Sequence, residues 1–93
     1  MSSYLVRVEL HGANWNDYET LHSEMAVRGF SREITGNNGL IYQLPTAEYV
    51  IRTNDALEEV RELAAQAANS TGRKFGVIVA EYSRSAWRGL VHV

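Results

Sequence analysis

Cysteine is absent from this chain of 93 residues, which excludes disulfides, thiolate zinc sites and cysteine nucleophiles. Proline is almost absent as well. Pro45 is the only one, and with no low-complexity tract, repeat or linker the expectation is a single domain over residues 1–93. Long apolar runs are missing too: the longest, Phe75 to Ala80, has six residues, against about 20 needed to span a bilayer. The opening Met1-Ser2-Ser3-Tyr4 leads straight into a strand pattern, without a cationic segment followed by an apolar one. A cytoplasmic location, away from any membrane, is therefore expected. The hydrophobic fraction of 45% and charged fraction of 22% are ordinary for a globular protein.

Lysine is also scarce, since eight of the nine basic residues are arginine, whose planar fork suits phosphates and carboxylates. The charge is unevenly spread. Five arginines face ten carboxylates up to Gly72, whereas from Arg73 onward three arginines and Lys74 face only Glu81. An acidic body with a basic end points to an anionic partner or to a solubilising tail.

What is present is periodicity. Tyr4 to Leu10 alternates, with Tyr4, Val6, Val8 and Leu10 on one side and Leu5, Arg7 and Glu9 on the other, as in a half-buried strand. Asn16-Asp17-Tyr18-Glu19 has capping-box spacing. Tyr18, Leu21, His22 and Met25 then recur on one helical face, and Gly29 closes the helix with Phe30 folding back on Met25. Phe30 to Thr35 reads as a strand, Gly36-Asn37-Asn38-Gly39 as a turn, and Leu40 to Leu44 and Glu48 to Thr53 as strands around Pro45-Thr46. This middle stretch is either one strand with a large bulge or two short hairpins.

A second helix opens at Asp55 with Glu58 as its capping partner. Leu57, Val60, Leu63, Ala64, Ala67 and Ala68 form its apolar stripe, and the alanines let it lie close to a sheet. Gly72 ends it, with Arg73 and Lys74 suited to the negative pole of the helix dipole. Phe75 to Glu81 is the last full strand. The tail from Tyr82 to Val93 alternates at Trp87, Gly89, Val91 and Val93, as an extra edge strand or as a segment pairing with a second copy. The order strand-helix-strand-strand-helix-strand predicts an α+β fold, a ferredoxin-like β-α-β-β-α-β sandwich. In it two helices cover one face of a four-stranded antiparallel sheet. The open face and free edge make a homodimer the default expectation.

Chemistry is sparsely signalled. His11, His22 and His92 lack metal-ligand spacing, so no metal site is expected. A divalent metal enters only if the protein is a nuclease. The Gly36–Gly39 turn lacks the lysine and strand-to-helix setting of a phosphate loop. Glu58, Glu59 and Glu62 read as a solvated helix face. Two constellations remain. Glu9 and His11 stand at the end of the first strand, with Asn14 and Asp17 beyond, as an acid–base pair or metal anchor; a solvated strand residue explains Glu9 equally. Arg84, Trp87 and Arg88, with Arg73 and Lys74 nearby, can hold phosphates and stack unpaired bases of single-stranded RNA; Trp87 can equally be a core or interface anchor.

The opening Tyr4-Leu5-Val6-Arg7-Val8-Glu9-Leu10, a first helix ending before an aromatic residue, and a middle segment leading into Gln43-Leu44 together resemble the GhoS family over residues 3 to 68. These are small ferredoxin-like endoribonucleases of type V toxin–antitoxin systems, related in fold to small CRISPR-associated nucleases. The resemblance implies RNA as the substrate class and puts Glu9 in place of an acidic residue at the end of the first strand. The related fold carries an aspartate there as a metal-dependent nuclease residue. Glutamate at position 9 and the basic, Trp-containing tail depart from the pattern. A non-enzymatic dimeric module and a small-molecule binder are the competing readings.

Overall fold

The computed structural model describes residues Met1–Val93, and alternation along its first strand creates the two faces of the fold. In β1 (Ser2–Leu10), Tyr4, Val6, Val8 and Leu10 are buried, while Leu5, Arg7 and Glu9 stand on the opposite, exposed side. β1 is central. It pairs antiparallel with β4 (Glu48–Thr53) in the register Leu5↔Val50, and with β5 (Phe75–Tyr82) in the register Arg7↔Ile78. The helices α1 (Trp15–Val27) and α2 (Leu57–Asn69) supply Leu21, Met25, Val60, Ala64, Ala67 and Ala68 to one buried cluster with β1, Phe30 and Tyr49. Each fully buried Val, Leu or Met contributes roughly 1.5–3 kcal/mol, so this cluster holds the helices to the sheet.

α1 begins with a capping box and α2 with only the acidic half of one, each displaced from its predicted position. Asn14, not Asn16, caps α1. Its side-chain oxygen accepts the Asp17 N–H at 3.0 Å, and the Asp17 carboxylate accepts the Asn14 N–H at 3.0 Å. Two Asn-x-x-acid tetrads overlap here, and the earlier one captures more of the chain as helix. In α2 the Glu59 carboxylate accepts the Ala56 N–H at 3.3 Å. The Asp55 carbonyl is engaged instead by the Tyr4 hydroxyl at 2.9 Å, which ties the start of α2 to the sheet. α1 ends as expected: Gly29 takes φ +91° and the Phe30 N–H returns to the Met25 carbonyl at 3.1 Å.

The predicted four-stranded sheet is replaced by a three-stranded sheet, β4-β1-β5, and a separate two-stranded one formed by β2 (Glu33–Thr35) and β3 (Ile41–Gln43). Ser31 exchanges two 2.8 Å backbone bonds with Val50 of β4, and the pairing stops there. The Ser31 hydroxyl takes the Glu33 N–H at 3.1 Å, and the Arg32 carbonyl accepts from Leu44 at 2.7 Å. A side chain competing for the ladder thus turns the strand away from β4 and toward β3. Of the two alternatives for this stretch, a short hairpin closes around Gly36–Gly39, where the Gly36 N–H donates to the Leu40 carbonyl at 2.8 Å.

The C-terminal tail stays with its own chain. Val91 accepts the Gln43 N–H and Val93 donates to the Ile41 carbonyl, both at 2.9 Å, and Tyr42 bridges to His92. Trp87 meets Tyr42 edge-on at 5.5 Å. Gly36 makes room for it, since a Cβ there would lie 3.2 Å from the indole. No helix is long and apolar enough to cross a membrane.

Candidate functional site

Alternation places Glu9 on the open face at the end of β1, and the turn that follows brings His11 back beside it. Glu9 Oε1 lies 3.4 Å from His11 Nε2, with both side chains more than half exposed. The His11 N–H donates to the Lys74 carbonyl at 2.8 Å, so the chain leading into β5 fixes the pair from behind. Glu9 sits opposite Gly76 in the ladder. The missing side chain leaves a hollow of about 280 Å³ lined by Arg7, Glu9, Gly76, Val77 and Ile78. A second hollow of about 350 Å³ on the other side of β1 is lined by Arg7, Val8, Glu9, Tyr18, Thr46 and Ala47. Arg7 and Glu9 therefore border both depressions. Ala47 holds φ +69°, a conformation disfavoured for a side chain with a Cβ.

The charges at this end are not equally available. Arg73 Nε lies 2.8 Å from the Asp17 carboxylate. The Asn14 N–H, together with the Arg73 guanidinium, holds that carboxyl below its ordinary range. Arg73 is thereby largely neutralised, whereas Arg7 and Lys74 are exposed and form no ion pair. Asp17 was recognised in the sequence as lying near this strand end, but its role as partner to Arg73, 56 residues away, is a tertiary result.

Arg84 and Trp87 line a hollow of about 410 Å³ with Ser83, Ser85, Ala86, Thr35 and Asn37, and Arg88 is exposed on the same tail. This is a second region, and Arg73 and Lys74, expected near it, stand at the other end of β5. Its eight residues separate the two regions. At about 3.3 Å per residue the strand holds Lys74 and Arg84 some 25 Å or more apart. Closeness in sequence becomes distance when the intervening chain is extended.

A metal finds little to hold it. Beyond Glu9 and His11 no third carboxylate or imidazole converges, nor does any such group of three occur elsewhere in the chain. Divalent ions take larger oxygen or mixed ligand sets, so the donor set does not fit a metal centre within one chain.

Sequence reasoning missed one polar cluster. Beneath α1 the fully buried Tyr49 places its hydroxyl 2.6 Å from His22 Nδ1, while His22 Nε2 and Arg32 Nε are buried without partners. Burial, then the nearby Arg32 charge, lowers the His22 pKa, with Glu19 opposing. Burial pushes the Tyr49 hydroxyl well up. The signal was half visible: His22 lies on the buried stripe, but nothing in the spacing named its partner.

These features define a small α+β protein with an antiparallel sheet, an exposed carboxylate–imidazole pair and two separate cationic regions. The family model described as endoribonuclease GhoS matches residues 1–86. The chain belongs to the GhoS family. The match extends past the 3–68 span anticipated from the pattern and takes in Glu9, His11, Arg73, Lys74 and Arg84; Trp87 and Arg88 lie just beyond it. Comparison with individually curated proteins returns no match.

Proposed function

We propose that this chain is an endoribonuclease of a toxin–antitoxin system that binds single-stranded RNA across its open sheet face and cleaves it with Glu9 and His11. The observation that carries the reading is the exposed Glu9–His11 pair at 3.4 Å beside the Arg7-lined hollows. An imidazole exchanges protons near neutral pH, and a carboxylate beside it supplies the complementary partner. Glu9 takes the proton of a ribose 2′-hydroxyl as its oxygen forms a bond to phosphorus. The bond from phosphorus to the 5′-oxygen breaks, and His11, protonated, gives its proton to that leaving oxygen. The products are a 2′,3′-cyclic phosphate and a 5′-hydroxyl. Arg7, which borders both hollows, holds the phosphate.

Arg84 and Arg88 contact the backbone further along the strand, and Trp87 offers its half-exposed indole to an unpaired base. Lys74 adds charge near the cleavage end, with Arg73 restrained by Asp17. The Ser31–Val50 bridge supports reading the fold as a ferredoxin-like sandwich whose fourth strand is reduced to a single residue pair in the main sheet.

The test uses a short single-stranded RNA and the same strand with one deoxyribose at the cleaved position. Cleavage leaving a 2′,3′-cyclic end, absent on the deoxy substrate and in Glu9→Gln, is expected. Undiminished cleavage by Glu9→Gln would remove Glu9 from the reaction.

A further inference from the structure

β5 has one partner. Its inner edge pairs with β1 from Phe75 to Leu10 through Tyr82 to Ser3, whereas nothing pairs with the outer edge. No backbone hydrogen bond outside the strand ladders involves residues 75–82. No side chain hydrogen-bonds to them, and the start of α2 lies beside the strand without pairing with it. An uncovered edge of eight residues is long for a protein that must avoid indiscriminate pairing. Ile78 stands on it at 66% exposed. A groove of about 200 Å³ runs beside it, lined by Leu57, Glu58 and Arg61 of α2 with Val77, Ile78 and Val79.

We infer that this edge binds the same edge of a second copy, antiparallel about a two-fold axis at Val77, to make one continuous six-stranded sheet. Three independent features select that register. Directly opposed residues of antiparallel strands lie on the same face, so centring on Val77 sets Ile78 of each copy against Gly76 of the other. At Gly76, on the open side of the strand, a Cβ would meet nothing within 4 Å, and the position borders the hollow it shares with Arg7 and Glu9. The exposed isoleucine thus enters the empty site. On the helix side the same register opposes Phe75 to Val79 and Val77 to Val77, a run of β-branched and aromatic cross-strand pairs. Just beyond its ends it brings Glu81 toward Arg73 twice, once at each end; Asp17 takes Arg73 Nε, so it is the terminal guanidinium nitrogens that meet Glu81. Moving the axis to Ile78 or Val79 sets Glu81 against Phe75 or Val77 and loses the charge pairing.

The pairing follows from the edge alone and does not depend on how RNA is handled, but it bears on the Glu9 site. Strands lie about 4.8 Å apart, so the second copy's edge stands two strand spacings, about 10 Å, from Glu9. The second copy's isoleucine then walls the hollow that Glu9 opens onto. Both open faces lie on one side of the joined sheet, doubling the surface over which a strand of RNA can lie.

The experiment is sedimentation equilibrium of the full chain from low micromolar to several hundred micromolar, with Ile78→Lys and Glu81→Arg alongside and circular dichroism as the check on folding. The wild type is expected to pass from the 10.5 kDa monomer to twice that mass. Ile78→Lys is expected to stay monomeric, since a lysine on an edge opposes pairing. Glu81→Arg is expected to raise the dissociation constant roughly tenfold, because two cross-strand pairs change from opposite to like charge. A wild type that stays monomeric throughout overturns the inference. So does a dimer that persists unchanged in both folded variants, which would place the interface elsewhere.

Discussion

The Tyr49 hydroxyl lies 2.6 Å from Nδ1 of His22, joining the start of β4 to the buried stripe of α1. Tyr49 is wholly inaccessible to solvent, and its hydroxyl is the nearest partner that the imidazole has. Replacing Tyr49 with phenylalanine removes that partner and leaves two unsatisfied ring nitrogens, because Nε2 already lacks one. The expected loss is about 1–2 kcal/mol, measured by urea denaturation.

The same contact makes stability depend on pH. Burial, with Arg32 beside it, lowers the His22 pKa in the folded protein, while the unfolded chain keeps the ordinary value of about 6.5. Below that pH the unfolded state binds more protons, so stability is full above it and declines as pH falls through the folded value. Melting temperature is expected to fall from pH 7 to pH 5, and His22→Gln to flatten that slope. Asp17 acts in a lower window. Its pKa is lowered by the Asn14 N–H and Arg73, so its contribution is present above about pH 4 and disappears only in stronger acid.

Glu9→Gln and His11→Asn each bear on the reaction alone. General acid–base partners contribute about 10²–10⁴-fold, and losses of that size are expected in single-turnover cleavage. Both side chains are mostly solvated, so thermal stability should stay within about 0.5 kcal/mol of wild type.

The two cationic regions predict different salt responses. Removing two phosphate contacts by Arg84→Ala with Arg88→Ala should lower the slope of log affinity against log salt by about 1.4, at about 0.7 per contact for single strands. Arg73→Ala should change it less, because Asp17 already holds that guanidinium at 2.8 Å. Fluorescence anisotropy at several salt concentrations separates the two.

Ala64, Ala67 and Ala68 are fully buried where α2 meets the sheet. Ala64→Leu forces extra methyl groups into a filled interface, with an expected cost of about 1–3 kcal/mol. Chemical denaturation measures it, and no loss would mean that the helix stands further from the sheet than this packing requires.

Much of the fold was readable from local pattern. The alternation of Tyr4, Val6, Val8 and Leu10 named the buried face of β1, and the alanine stripe named the contact face of α2. The capping box of α1 was right in kind but displaced, Asn14 for Asn16, because overlapping tetrads satisfy the same spacing, whereas α2 starts at Ala56 with only Glu59 reaching back. For residues 30 to 44 the strands and the Gly36–Gly39 turn were readable, but the choice between a bulged strand and short hairpins was not. There the Ser31 hydroxyl takes the Glu33 N–H where the pairing with β4 stops, a local competition that periodicity does not encode. In the candidate site, Glu9 and His11 are neighbours in the sequence and were found there. Lys74, by contrast, sits behind His11 only because β5 lies beside β1.

The sequence by itself determined the α+β class, the two helices, the faces of β1 and the strand end carrying Glu9 and His11, because each depends on residues within a few positions of one another. Tertiary structure decided the rest. It tied Arg73 to Asp17, set Tyr49 under His22, kept the tail on β3, divided the basic residues into two regions and left the outer edge of β5 bare. Those relationships join residues tens of positions apart, and their distances exist only once the strands have paired and the helices have packed.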